Sequence, residues 1–252
     1  MKILVVANQK GGVGKSILST HIAMALAEEP GMKRGLIIEF DAQGNSSKTT
    51  KKSGAKVLAQ ASQLFSNEPL SIEPADGLNL IEADGKLADI ERAPLEVMGN
   101  LKEQMEALAP YFDYCVIDTP PALGLRMTAA LIVADYVLAP IELEEYSIDG
   151  ITKMLQTFFG VKQKWNPDLE FLGMLPNRFN SRSEEQKRAL VALLENYSHL
   201  LIPAKIGIRA SIPEALAEGL PVWKLKKTAA REATKEFQEA FNVIFTKMGV
   251  RK

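Results

Sequence analysis

Apolar and polar positions along the chain switch repeatedly between two periods, and the switching points mark out strands and helices. Residues 2–7 are a short, nearly continuous apolar run, the pattern of a strand covered on both faces, and 17–28 follow with helical spacing. Residues 36–40 read as a second buried strand ending at Asp41, 78–82 as another, and 95–109 as a helix stopped by Pro110. An apolar strand at 114–118 finishes in Asp118, and a helix at 128–134 leads to a strand at 135–140. Residues 142–150 open a long helix through 161, and 171–176 form the next strand. A surface helix at 183–196 is opened by a serine cap with Glu185 and Gln186 nearby, and 200–203 reads as the last strand. The final helix, 228–248, places Phe237, Phe241, Ile244, Phe245 and Met248 on one apolar stripe. Residues 46–76 are polar and irregular, with only a short helix predicted around 57–65.

Strands alternating with helices in this way predict a single α/β/α domain built on a mostly parallel, twisted sheet of about seven or eight strands, with ligands at the strands' C-terminal edge. No low-complexity linker divides the 252 residues, which are enough to bury a sizeable core. A formal net charge of −1 argues against a globally basic nucleic-acid binder but leaves room for a local basic face. A lone cysteine, Cys115, excludes an intramolecular disulfide or a cysteine-only metal site within one chain, and its apolar strand predicts a buried, inert thiol. The chain enters its first strand directly, without a basic-plus-apolar leader, and no apolar run approaches the roughly 18 residues of a membrane span. A cytoplasmic protein is expected.

The stretch Asn-Gln-Lys-Gly-Gly-Val-Gly-Lys-Ser at 8–16 joins the first strand to the first helix. A glycine-rich turn between a buried strand and a helix N-terminus forms a phosphate cradle, because backbone N–H groups converge and the helix dipole favours negative charge. Gly11, Gly12 and Gly14 let the backbone approach an anion without an intervening Cβ. Lys15 would pair with the β- and γ-phosphates, Ser16 would offer its hydroxyl to Mg²⁺, and Val13 and Ile17 complete the nucleotide-binding run. The first glycine of the usual G-x-x-x-x-G-K-[ST] pattern is replaced by Gln9, and a second lysine, Lys10, stands inside the loop. Asp118, at the end of a buried strand, is placed to hold a Mg²⁺-bound water beside Ser16.

The variant K-G-G-V-G-K-S resembles the deviant Walker A motif of the ParA/MinD family of P-loop ATPases. The resemblance runs over nearly the whole chain: Ala130, Leu131, Ala134, Asp135, Val137, Pro140, Glu144, Ser147 and Gly150 stand in register with the family's text, as does the segment from Arg209 through Glu214, Ala215 and Gly219 to Pro221 and Val222. It implies a P-loop NTPase fold, ATP and ADP as ligands with Mg²⁺, and an ATP-dependent homodimer in which Lys10 reaches the partner's nucleotide. It also implies that Asp41, the second acid of a D-x-D-P-Q-G-N-like stretch, orients the attacking water; a helix-capping role is the alternative. Here Glu39 replaces the first Asp and Ala42 the Pro. Asn177 and Arg178 would lie near the adenine, with Pro203 packing beside it, although Asn177 also suits an ordinary turn. Gly124 would begin a second switch loop.

Three outputs are known on this scaffold. A metal-cluster carrier needs paired thiols, which one cysteine does not supply. A MinD-like membrane switch needs a basic amphipathic tail, whereas Glu232, Glu236 and Glu239 share the last helix with Lys235 and Lys247. DNA-cargo partition needs cations on one face, and Lys205, Arg209, Lys224, Lys226, Lys227 and Arg231 are the candidates; Arg178, Arg182, Lys187 and Arg188 form a second cluster. The expected function is therefore that of a small plasmid-type ParA partition ATPase, nucleoid-associated, binding DNA non-specifically and stimulated by a ParB-like or other small adaptor. MinD-like positioning on a membrane or a protein cargo is the alternative.

Overall fold

The computed structural model describes residues 1–143 and 148–251. Seven strands, β1 (Lys2–Val6), β2 (Arg34–Glu39), β3 (Lys56–Gln60), β4 (Gly77–Glu82), β5 (Tyr114–Asp118), β6 (Tyr136–Ile141) and β7 (Glu170–Pro176), form one sheet in the order β3-β4-β2-β5-β1-β6-β7. Every pairing is parallel. The helices are α1 (Lys15–Leu26), α2 (Asn45–Lys52), α3 (Leu87–Ile90), α4 (Val97–Leu108), α5 (Leu125–Val133), α6 (Ile148–Lys164), α7 (Glu184–Tyr197), α8 (Ser211–Ala217) and α9 (Ala230–Lys247).

Strand periodicity explains the three layers. Ile3, Val5, Leu36, Ile38, Cys115 and Ile117 face a core closed by α4, α5 and α6, while Leu4, Val6, Ile37, Tyr114 and Val116 face a second core closed by α1, α8 and α9. Phe237, Phe241, Ile244 and Phe245 of α9 are buried in that second core, so the amphipathic terminal helix packs on the sheet. Cys115 is buried, and burial pushes its thiol well above the ordinary range, as expected for an inert side chain. No described helix is long and apolar enough to cross a membrane.

The structure departs from the sequence reading in four places. Residues 142 and 143, expected to open the long helix, are not helical. The helix expected at 57–65 is the edge strand β3 followed by a 3₁₀ turn, Ala61–Phe65; Lys56, Val57, Ala59 and Gln60 pair with β4 around an irregularity at Leu58, and pairing overrode local pattern. The strand expected at 200–203 is reduced to one bridge between Leu201 and Met174, because the chain turns away after Ile202. Helix α2 lies within a stretch read as irregular. Glu144 and Ser147 lie outside the described residues.

Two packing features hold α1 against the sheet. Tyr114 donates its hydroxyl to the Ala23 carbonyl at 2.9 Å and crosses over Gly35, where a Cβ would overlap the phenol ring. His21 is fully buried, stacks on Phe237 at 4.4 Å, pairs through Nδ1 with the Ile17 carbonyl and accepts the Val222 N–H at Nε2. These partners select the neutral tautomer protonated at Nδ1. Gly35→Ala should destabilise the protein by about 1–3 kcal/mol through overpacking, read as a lower urea midpoint at unchanged slope. Burial lowers the His21 pKa to about 4, so the unfolded chain takes up a proton at a pH where the folded chain does not. This stability contribution is present above the ordinary histidine range and is lost as pH falls towards 4. In an NMR titration of the folded protein the His21 ring should not change charge above about pH 5.

Candidate functional site

The C-terminal ends of β1, β2 and β5 meet at one point of the sheet edge. Register places Val6 and Glu39 on either side of Asp118. The loop leaving β1 wraps over this point. Asn8 donates to the Pro140 carbonyl at 2.7 Å and accepts the Lys10 N–H at 2.9 Å, fixing the entry to the loop. Gly12 and Gly14 have φ of 81° and 86°, so two of the three glycines use the left-handed region; Gly11 does not. Gly14 is needed twice, since a Cβ there would also overlap the Asn177 amide.

The cradle opens into a cavity of about 510 Å³ lined by Gly11, Gly12, Gly14, Lys15, Ser16, Ile17 and Asp41. Lys15 is buried and donates to the Lys10 carbonyl at 2.9 Å. Desolvation lowers its pKa, while Asp118 and Asp41 oppose that shift. Asp118 is fully buried: one oxygen accepts the Ser19 hydroxyl at 3.2 Å, and Oδ2 has no hydrogen-bond partner. Burial raises its pKa, and so does the neighbouring Glu39 carboxylate. Glu39 is itself fully buried and accepts the Ser46 and Ser47 N–H groups at 3.1 and 2.7 Å, two of the free donors in the first turn of α2. Burial pushes its pKa up too, opposed by those serines. An orphaned carboxylate oxygen beneath a cradle of N–H groups, with the Ser16 side chain alongside, fits a hydrated Mg²⁺ bound to nucleotide phosphates.

Asp41 lies on the cavity wall, and its carboxylate accepts the Gln43 N–H at 3.1 Å, forming the turn into α2. The Gly44 N–H returns to its carbonyl, so Asp41 shapes the turn rather than capping α2, whose N-cap is Gly44. Lys10 sits at the loop's lip, its ammonium 3.9 Å from Glu142, which also pairs with Arg178 at 2.8 Å. Asn177 is buried and donates to the Val13 carbonyl at 2.7 Å, bracing the loop from below. Asn177, Arg178 and Pro203 do not line the cavity; its far walls are Asn45, Lys48, Thr49 and Lys52 of α2 and Pro213, Leu216 and Ala217 of α8. The Lys52 ammonium donates to the Ala217 carbonyl at 2.9 Å, joining the two walls. Sequence reading missed α2 because Asn-Ser-Ser-Lys-Thr-Thr-Lys-Lys carries no apolar residue, and α8 entered only through a family pattern.

The basic candidates are unevenly free. Arg209 pairs with Glu232 and Glu236, Lys224 with Glu28, and Lys227 with Glu214, while Lys205 lies over the Phe179 ring at 4.6 Å. Lys226 and Arg231 make no ion pair with described residues and line a groove with Trp223 and Thr234. The run 224–231 is thus less cationic than its composition suggests.

A glycine cradle on a parallel sheet, with a buried lysine and an acid at the next strand's end, defines a P-loop nucleotide-binding protein. Residues 1–171 match a family model described as an AAA domain. The chain is 46% identical over 265 residues to Protein IncC of Escherichia coli, covering 99% of this chain and 71% of that protein. It is 33% identical over 183 residues to the chromosome-partitioning ATPase Soj of Thermus thermophilus, covering 71% and 70%. Among solved structures it resembles cobyrinic acid a,c-diamide synthase from Mycobacterium smegmatis with bound ADP and magnesium, at TM-score 0.73, 27% identity and 100% and 97% coverage. The ATP complex of a Cyanothece McdA variant has TM-score 0.80 at 24% identity, with 100% and 98% coverage, a likeness of fold alone. The chain belongs to the ParA/MinD-type P-loop ATPases related to plasmid partition proteins.

Because the Asn177 amide braces the loop, Asn177→Ala should weaken ATP and GTP binding in parallel, by about tenfold, in an equilibrium titration. A change in the ATP-to-GTP ratio would instead place that amide on the base edge.

Proposed function

We propose that the protein hydrolyses ATP to ADP and phosphate in a partition cycle: ATP drives a homodimer, the dimer binds DNA without sequence preference, and an adaptor protein of the ParB kind stimulates hydrolysis and release. The observation that carries the reading is the convergence of Lys15, Ser16 and Asp41 on one cavity, with the unpartnered Asp118 oxygen beneath it.

The backbone from Gly11 to Ile17 cradles the phosphates, and Lys15 neutralises the β- and γ-oxygens. Ser16 directly, and Asp118 through water, would hold Mg²⁺, which neutralises charge developing on the phosphates. Asp41 orients the water that attacks the γ-phosphorus; ADP departs with the electron pair of the broken P–O bond, and of the water's two protons one stays on the phosphate formed and the other passes to solvent. Lys10 leaves Glu142 and crosses to the partner's phosphates, acting as an arginine finger does elsewhere. Because that charge arrives only on dimerisation, hydrolysis by the isolated chain is slow. DNA binding draws first on Lys226 and Arg231, which need not break an ion pair with a described residue to meet phosphate, and then on Lys205, Arg209, Lys224 and Lys227. The related Soj of Thermus thermophilus is named a chromosome-partitioning ATPase, and the basic groove beside Trp223 suits a nucleic-acid backbone.

Lys15→Ala and removal of Mg²⁺ by EDTA should each abolish hydrolysis. Lys10→Ala should retain ATP binding but lose ATP-dependent dimerisation in light scattering and at least about a hundredfold in turnover; normal dimers would overturn the cross-subunit role. Binding to unrelated duplexes should require ATP and fall linearly in log–log form with salt, with a shallower slope for Lys226→Ala/Arg231→Ala. ATP-dependent recruitment to liposomes without DNA binding would replace partition by a membrane-positioning role.

A further inference from the structure

We propose that Arg126 and Glu91 form a positioning pair that ties together the two loops facing the phosphates, and that Asp41 is correctly placed for hydrolysis only while this tie is made. The inference rests on the ATPase reading and adds to it two residues outside the phosphate-binding loop and the strand-end acids.

Arg126 occupies the first turn of α5, just after the Pro120–Gly124 turn that leaves β5. Its side chain is only 10% exposed. Nε donates to a Glu91 oxygen at 2.6 Å, and Nη1 donates to the Phe40 carbonyl at 2.7 Å. The second Glu91 oxygen accepts the Leu125 N–H at 2.8 Å. A single carboxylate at the end of α3 therefore satisfies the N-terminus of α5 and orients the guanidinium. Gly124 leaves the space for it, since a Cβ there would overlap the Glu91 carboxyl.

Phe40 is the residue immediately before Asp41. Its N–H donates to the Asp118 carbonyl at 2.8 Å, and its fully buried ring packs against Phe65 at 5.1 Å. Its carbonyl belongs to the same planar peptide as the Asp41 nitrogen, so the bond from Arg126 fixes the orientation from which Asp41 begins. On the other side of the tie, Pro121 stands in the cavity wall beside Gly11, where an added Cβ would come into van der Waals contact with it. A shift of this turn when the phosphates are seated moves α5, and the guanidinium carries that shift to Asp41. A planar fork can serve a carboxylate and a carbonyl at once, whereas an ammonium on a flexible stem cannot hold both directions. Breaking the tie strands a largely buried charge, so it behaves as made or broken rather than as a graded contact.

The test compares wild type, Arg126→Gln, Arg126→Lys and Glu91→Gln by equilibrium ATP binding, single-turnover hydrolysis with enzyme in excess, and thermal unfolding. Arg126→Gln should lower the hydrolysis rate at least about tenfold while changing the ATP dissociation constant less than about threefold. Arg126→Lys, which keeps the charge but loses the fork, should recover only a minor part of the rate. Wild-type hydrolysis in a folded Arg126→Gln, or equal losses in binding and rate, overturns the inference. If Arg126→Gln does not fold, Glu91→Gln must show the same split, and failure of both to fold assigns the pair to stability alone and also overturns it. A wild-type protein that binds ATP without hydrolysing it sinks the ATPase reading instead, a result separate from any of these.

Discussion

Two carboxylates at neighbouring strand ends, Glu39 and Asp118, are completely sheltered from water, and the surrounding structure is arranged around the cost of keeping them there. An isolated buried carboxylate is expensive and two side by side more so, so each must be protonated, hydrogen-bonded or faced by a cation. The Glu39 oxygens are taken up by the N-terminal N–H groups of α2, an arrangement that the helix dipole also favours. Asp118 receives one hydroxyl and keeps one oxygen unpartnered, and the Lys15 ammonium supplies compensating charge. The unmet demand of Asp118 suits the site to a cation bound with phosphates. The demand of Glu39 is what anchors the helix that follows Asp41.

This division explains which parts of the molecule could be read from its sequence. The buried strands and the helices α1, α4, α5, α6 and α9 announce themselves because their positions are fixed by apolar burial, and burial leaves a period in the sequence; the surface helix α7 is marked instead by its Ser183 cap. The phosphate loop is legible for another reason: backbone close to an anion demands glycines, and charge balance demands a lysine. Helix α2 is held by neither means. Its buried residues are Ser46, Ser47 and Thr50, and its anchor is a hydrogen-bonded acid seven residues upstream of Ser46. The substitution of Glu for Asp at 39 shows in the sequence as a departure, but its capping function becomes visible only when β2 and α2 are brought together. Lys52 and Ala217, 165 positions apart, likewise meet only in the fold.

The arginine between the two loops follows the same rule. Arg126 falls on a helix rich in Met, Ala, Leu, Ile and Val, where periodicity would place an apolar residue, and it is buried all the same. An apolar side chain would fill that volume without the cost of a desolvated charge, so its presence needs a return in geometry. That return is directional: the guanidinium holds a carbonyl from one loop and a carboxylate that caps the helix of the other. Packing alone could place either loop, but it would not specify their relative orientation.

The basic face obeys the opposite economy. Glu28, Glu214, Glu232 and Glu236 are set against Lys224, Lys227 and Arg209, so a chain with a formal charge of −1 does not present a run of bare cations. The exposed pairs of Lys224 and Lys227 are worth little to stability, which makes them easy to exchange for phosphate partners, whereas Arg209 is held by the largely buried Glu236. On this face a single subunit then offers Lys226 and Arg231, which have no ion pair among the described residues, and a few exchangeable cations, too small a set to hold a polyanion against competing salt. Doubling the set by pairing two subunits adds the phosphate contacts in one encounter, so the electrostatics by themselves make the proposed DNA affinity steeply dependent on the dimer. In the proposed cycle the bound nucleotide would control that dimer through Lys10, whose ammonium would exchange Glu142 for the partner's phosphates.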